Sequence, residues 1–359
     1  MRRLVQSLLV TLIVSALAVA QPHVSNGKVE TATAAGGLQS ALRQAAGTAS
    51  GPVWAGYAVP IVDTSKPRMI CCGNYSSGEN SQSCCGGCRL EGDNNGYVSA
   101  NGGNCVQTEP ATQLIVLLRY SEGQVTRVRA MTPGCAVDAG GLTLHWLTEV
   151  RPAESVALLA SLADSTKAAS NRVVDSAVMA IALHADASAD ATLNRLVSPD
   201  QPEKTREKTA FWIANERGKS GFATLQKLAR DDKDDRFRRQ LTFDLTLSHE
   251  PEAVPELIRM AHQDPDGGVR GQALFWLAQK AGKKVAADIA AAIENDPDTE
   301  VKKRAVFALS QIPDGEGVSK LIEVARNNRN PVVRKQAVFW LGQSHDPRAL
   351  AFIEDVLTR

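Results

Sequence analysis

Apolar positions return along this chain at one fixed interval. The segment VRKQAVFWL at residues 333–341 follows VKKRAVFAL at 301–309, VRGQALFWL at 269–277, FRRQLTFDL at 237–245, TREKTAFWI at 205–213 and, more faintly, VVDSAVMAI at 173–181, each 32 residues from the next. Within a copy the apolar residues sit at offsets 0, 4, 5 and 8, as in Val269, Ala273, Leu274 and Leu277. At about 100° per residue these share one broad helical face. A second ladder, Leu193, Leu225, Leu257, Ile289, Leu321 and Ile353, runs in step 20 residues after the start of each copy and opens a second amphipathic stripe. Links such as DPDGG at 264–268 and DPDTE at 296–300 carry helix stops and N-caps. Six antiparallel helix pairs are predicted. One pair cannot hide its stripe from water, but a stack of them can, and a fixed period in this range is the mark of stacked supersecondary units.

Before the repeats the patterning is of another kind. WAGYAVPIV at 54–62 reads as a strand, and QLIVLLRY at 113–120, Ser121-Glu122-Gly123, then QVTRVRAM at 124–131 read as a hairpin. ESVALLASLA at 154–163 has helical periodicity and is expected to cap the stack from its N-terminal side. Residues 21–53, rich in Ala, Ser, Gly and Thr, read as a flexible leader with one weak helix near 37–46. The domain expectation is therefore residues 1–20, a signal segment; 21–53, the leader; 54–140, a cysteine-rich β-module; 141–172, an N-terminal helical cap; and 173–359, six repeats.

The Val-Arg-x-x-Ala-x-x-x-Leu run, an Asp-Pro turn as at Asp346-Pro347, a second helix and an Asp-Pro-Asp link resemble the HEAT-like repeat, in the short form found in phycocyanobilin-lyase relatives. The resemblance covers residues 173–359, and the copies at Thr205 and Val173 lack the opening Val-Arg. It implies an α-solenoid, a right-handed HEAT-like superhelix of antiparallel helix pairs preceded by the small cysteine-rich β-module. It also implies that the first helices lie on the convex side and the second on the concave side.

Two positions stand outside the pattern. Offset 7 alternates large and small (Trp212, Asp244, Trp276, Ala308, Trp340), as layers that interlock at interior density require. Offset 6 holds Phe211, Phe243, Phe275, Phe307 and Phe339, nearly opposite the apolar face. A contiguous stripe of exposed rings marks a surface for a partner protein or a second copy of the chain. The alternative is that tilted helices bury the rings against adjacent repeats.

The N-terminus has the order of a secretory signal. Arg2 and Arg3 precede an apolar run from Leu4, and Ala18-Val19-Ala20 places cleavage between Ala20 and Gln21. A short membrane anchor is the alternative. Taking those two arginines from the 40 basic side chains leaves 38 against 39 acidic ones, a net charge of about −1, which argues against a nucleic-acid partner. The expected protein is exported, periplasmic or extracellular, with no membrane span after signal removal.

All seven cysteines, Cys71, Cys72, Cys84, Cys85, Cys88, Cys105 and Cys135, precede the repeats. In an oxidising compartment such a cluster reads as disulfides. Because the count is odd, one cysteine is free or pairs with another chain. The C-x-x-C spacing of Cys85 and Cys88, with Cys71 and Cys72, leaves a zinc site or a redox role as the alternative.

Elsewhere catalytic chemistry has little footing. The only His-Glu pair is His249-Glu250, whose zinc partner position holds Ala253, whereas HEAT-repeat hydroxylases use several such pairs for two irons. The six histidines read as turn or surface residues. The expectation is a non-enzymatic protein-interaction scaffold without cofactor, self-association included, and the alternative is a redox or zinc-binding protein using the Cys71 to Cys135 cluster with the solenoid as docking arm.

Overall fold

The computed structural model describes residues 21–47, 51–65, 67–72, 74–77, 86–92, 97–99, 110–164 and 171–358. The signal segment, Cys84, Cys85 and Cys105 lie outside them.

The N-terminal part is built on β1 (Val24–Ser25), β2 (Lys28–Thr33), α1 (Leu38–Gly47), β3 (Val53–Pro60), β4 (Arg68–Cys71), β5 (Asn74–Ser77), β6 (Gly86–Arg89), β7 (Tyr97–Ser99), β8 (Gln113–Ser121), β9 (Gln124–Met131), β10 (Ala136–Asp138) and β11 (Thr143–Thr148). Its main sheet has the order β2-β11-β3-β8-β9. The first three of these strands run parallel, and β3, β8 and β9 are antiparallel neighbours. The expected hairpin is present. Glu122 at φ 54° and Gly123 at φ 74° make the tight left-handed turn whose twist suits two antiparallel strands.

The leader expectation is corrected. Residues 24–33 are strands, β2 pairs along its whole length with β11, and α1 packs on β3 and α2 (Pro152–Ala163). Gly37 N–H bonds to the Ala34 carbonyl, and the Glu154 carboxylate takes the Leu38 N–H at 3.0 Å. Composition hid this because a parallel partner 115 residues away leaves no local signal: Lys28 lies opposite Thr143. The β-module likewise extends past 140, to the end of β11 at Thr148.

Both faces of the sheet are covered, so its inner strands read as continuous apolar runs. On one face Trp54, Ile115, Leu117 and Trp146 pack with Cys71, Cys72, Cys88 and Cys135. On the other, Tyr57, Val59, Leu114, Val116 and Leu118 join the helices in a core that continues to Phe352. Two disulfides, Cys71–Cys135 and Cys72–Cys88, close spans of 64 and 16 residues. By the loop-entropy relation these restrict the unfolded chain by about 4 and about 3 kcal/mol. Reducing them in mild denaturant is expected to lower the melting temperature of the sheet's near-UV signal while the helical far-UV signal persists. Loss of both signals together at the same point would show that the disulfides hold the whole chain.

The repeats are the pairs α3 (Asn171–Leu183) with α4 (Ser188–Leu196), α5 (Glu203–Glu216) with α6 (Gly218–Asp231), α7 (Asp235–Leu247) with α8 (Ala253–Gln263), α9 (Gly267–Ala281) with α10 (Ala286–Asn295), α11 (Thr299–Ser310) with α12 (Val318–Asn327), and α13 (Pro331–Gly342) with α14 (Pro347–Thr358). Their first helices begin at 171, 203, 235, 267, 299 and 331, the even step expected of the repeat. Asp234, Asp266, Asp298 and Asn330 cap α7, α9, α11 and α13 by accepting first-turn N–H groups.

The sidedness implied by the resemblance is reversed. Consecutive first helices pack intimately along the array, whereas consecutive second helices touch sparsely. A Cβ on Gly271 of α9 would stand 2.3 Å from the Arg304 side chain of α11, which shows how close that layer is. In a curved stack the closely spaced layer is the inner one, so the first helices line the concave side.

Candidate protein-binding surface

The register of each layer is held by an ion-pair ladder. Arg238 reaches Asp264 with two bonds of 2.9 Å and donates a third to the Asp232 carbonyl at 2.8 Å. Arg270 does the same with Asp296 at 2.7 and 3.0 Å and with the Asp264 carbonyl at 2.9 Å. Arg206 pairs with Asp232. All six side chains are buried. Each aspartate also accepts the N–H of the capping aspartate two residues on, so the link between repeats is bonded to both neighbours. The ladder lapses at Lys302 and Asn328, where Asn328 bonds Glu294 at 2.8 Å. Its sequence signal is a charge pair recurring at 26 residues, hidden because each partner also belongs to a familiar helix-start or link motif.

Opposite this interior, the offset-6 rings form a ladder with the tryptophans. Phe243 meets Trp276 at 4.9 Å, Phe275 meets Trp276 at 4.9 Å and stacks on Phe307 at 5.8 Å and 3°, and Phe307 meets Trp340 at 4.9 Å. Phe211 and Phe339 each lie edge-on to the tryptophan beside them in sequence. Phe211, Phe243, Phe275 and Phe307 are half-buried, and Phe339 is 53 % exposed. Both expectations for these rings thus meet in one arrangement: the rings bury edges against the next layer and leave an aromatic strip on the concave side that runs in ring contact from Phe243 to Phe339, with Phe211 and Trp212 set apart from it. The tryptophans differ from the packing expected of them. Trp212 is buried, while Trp276 and Trp340 are half-buried in the strip.

Asp244 interrupts the strip. Its carboxyl is fully buried, Gln240 donates to Oδ1 at 3.2 Å, and Oδ2 has no hydrogen-bond partner among the described residues. Burial pushes its pKa up to about 8, with nearby Glu207 adding in the same direction. A cavity of about 600 Å³ opens beside it, lined by Asp175, Glu207, Lys208, Phe211 and Gln240.

A second buried polar chain joins the sheet to the repeats. His184 Nδ1 donates to the Ala180 carbonyl at 2.6 Å, so Nε2 accepts the Ser155 hydroxyl at 2.8 Å, and Tyr57 donates to Ser155 Oγ at 2.9 Å. All three side chains are fully buried. This serine–histidine pair therefore meets no solvent and acts as a bolt between β3, α2 and α3. Burial pulls the His184 pKa down to about 4. The reading of every histidine as a turn or surface residue is corrected here: His184 and His145 are buried. His249 is exposed, as expected of a turn. Arg68 and Glu216 form a further buried ion pair, 3.4 Å apart, between β4 and α5.

Cys71 and Cys72 are bonded to different partners on β10's approach and on β6, not gathered around one point. Among the described residues no group of three or more His, Cys, Asp or Glu side chains is placed to hold a metal ion, and no helix is long and apolar enough to cross a membrane.

Residues 286–359 match the family model of HEAT repeats. No curated protein sequence matches the chain. Similar solved structures include human deoxyhypusine hydroxylase in complex with glycerol, at 14 % identity over 57 % of this chain and 90 % of that one, with a TM-score of 0.31. The complex of CpcE and CpcF of phycocyanin lyase from Nostoc sp. PCC7120 is similar at 20 % identity over 44 % of this chain and 100 % of that one, TM-score 0.32. Kap121p bound to RanGTP is similar at 12 % identity over 53 % of this chain and 26 % of that one, TM-score 0.34. The two-helix layer recurs evenly from α3 to α14, and the match to HEAT repeats covers its last part, from α10 to the end.

Proposed function

We infer that this chain is an exported, non-enzymatic scaffold that holds another protein on the concave side of its repeats. The aromatic strip from Phe243 to Phe339 carries that reading: rings in contact across four layers and open on one side supply apolar area on helices that are already ordered. Export is supported by the two disulfides, which persist in oxidising compartments, and by the signal-like N-terminus. Cys71, Cys72, Cys88 and Cys135 are buried in those disulfides, so a zinc or redox reading finds no thiolate among the described cysteines.

The test compares the full chain with Phe275→Ser and Phe339→Ser variants as bait for soluble protein from the exported fraction of its host. Far-UV circular dichroism checks that each bait is folded. Proteins retained by the parent and lost by at least ten-fold from both variants are expected. Equal retention by all three baits would place the partner surface elsewhere.

A further inference from the structure

Among the described residues the exposed large apolar side chains all belong to the pair α13 and α14: Val332, Val338, Phe339, Leu350, Val356 and Leu357. One repeat earlier Val306 and Val318, the counterparts of Val338 and Leu350, are buried, and there a further layer follows. Solenoids usually close such an end with a polar outer surface. Here the outer surface of α13 and α14 is instead the apolar face with which each repeat holds the next, and a contiguous face of that kind marks an interface.

Two charges on this face say what covers it. In α7 Arg239 reaches forward to Asp266 of the next layer at 3.2 Å, and in α6 Gln226 reaches forward to Glu256 of the next layer at 3.1 Å. Lys335 and Glu354 hold the corresponding places in α13 and α14, are exposed, and form no ion pair among the described residues. The covering surface therefore sets an acid on α13 and a base on α14. This face itself carries that complement, with its base on α13 and its acid on α14. A second copy can present no other end of the array, because at the opposite end α3 is packed against β9 and α2.

We propose that two copies of this chain join end to end through α13 and α14, about a two-fold axis parallel to the helices, so that α13 of each lies on α14 of the other. Rotation about such an axis keeps every residue at its own height along the helices. The two helices are antiparallel and 12 residues each. Lys335 stands four residues after the start of α13 and Glu354 four before the end of α14, so the two are level and meet across the joint. Val338 and Leu350 are level to within about one residue's rise, ~1.5 Å, so apolar meets apolar in the same superposition. Each contact occurs twice, as an isologous interface requires. The joint leaves Phe243, Phe275 and Phe307 outside it and turns the two concave sides opposite ways, so it stands apart from the scaffold reading and gives the dimer two strips.

Sedimentation equilibrium of the full chain tests this, beside Leu350→Glu, Lys335→Glu, Glu354→Lys and the combination of the last two. The parent is expected to sediment at twice the single-chain mass at micromolar concentration. Leu350→Glu is expected to be monomeric with its far-UV circular dichroism unchanged, since that side chain is 59 % exposed in the single chain. Each charge reversal alone is expected to raise the dimer dissociation constant about ten-fold, two surface pairs being turned from attraction to repulsion. The combined variant is expected to return to the parent value, because both copies then exchange signs together. A monomeric parent overturns the proposal, and if it also retains a host protein that Leu350→Glu loses, the face belongs to that protein. A dimer that survives Leu350→Glu, as one joined through the odd cysteine would, overturns it too, and so does a combined variant no tighter than the single reversals.

Discussion

Replacing Asp264 by alanine is expected to destabilise the repeats by about 3–5 kcal/mol, because it leaves the Arg238 guanidinium buried without its carboxylate. Arg238 is 6 % and Asp264 3 % exposed, and the pair is joined by two parallel bonds of 2.9 Å. Removing the carboxylate also frees the Asp266 N–H, which Asp264 Oδ1 accepts at 2.9 Å, at the point where α9 is capped. Urea unfolding followed by far-UV circular dichroism reads the loss as a shift in midpoint. The pair Arg238→Met with Asp264→Leu, which removes both charges at once, is expected to recover most of that stability, because exchanging a buried ion pair for apolar side chains is often near neutral. A loss below about 1 kcal/mol in Asp264→Ala, the range of a surface pair, would mean that the ladder is solvated and does not set the register.

The second large effect is a pH dependence that the intact chain conceals. Asp244 has its pKa raised from 3.8 to about 8, chiefly by burial, so the native state holds a proton that the unfolded chain has already lost. Its contribution is complete below 3.8 and is lost as pH rises toward 8. His184 has its pKa lowered from 6.5 to about 4, again by burial, so its contribution is complete above 6.5 and is lost as pH falls toward 4. Between about pH 4 and 6.5 the two slopes oppose each other at about 1.4 kcal/mol per pH unit. These two groups therefore leave stability nearly level there, with a fall of about 2 kcal/mol from pH 6.5 to 8 as Asp244 ionises. Asp244→Asn is expected to expose the histidine: stability then rises by about 3 kcal/mol from pH 4 to 6.5 and levels off. His184→Gln exposes the aspartate, and the decline with pH begins near 4. Denaturant midpoints across that pH range decide it. A parent and an Asp244→Asn variant whose midpoints move in parallel would show that Asp244 is ionised in the native state.

Asp244 interrupts an aromatic strip, and it also bears on the proposed binding face. At offset 7 the neighbouring layers place Trp212 and Trp276, so a third ring there would extend the strip unbroken.

How much was readable in advance differs sharply between the two halves. In the repeats each helix is paired with one a few residues away and with an identical neighbour one period on. Local periodicity therefore carries the tertiary contacts, and Leu193, Leu225, Leu257, Ile289 and Leu321 are buried as their ladder requires. In the N-terminal half β2 meets β11 across more than a hundred residues, and α1 is held by Glu154. Such contacts leave no local pattern, and a leader was the natural reading of residues 21–53. The hairpin of β8 and β9 was legible because its partners are adjacent and its turn chemistry is local.

The candidate face divides in the same way. The phenylalanines could be picked out because they break the apolar pattern at a constant offset. The bolt of Tyr57, Ser155 and His184 and the buried carboxyl of Asp244 could not, since burial of a polar atom is a property of what surrounds it.

By itself the order of residues settled the period, the helix pairing, the ring positions and the compartment-like cysteine usage, because each is a matter of spacing along the chain. Only the folded molecule decided which layer is concave, which cysteines are bonded and how far each ring is covered. Those depend on distances between segments remote in sequence, and close packing, not local preference, sets them.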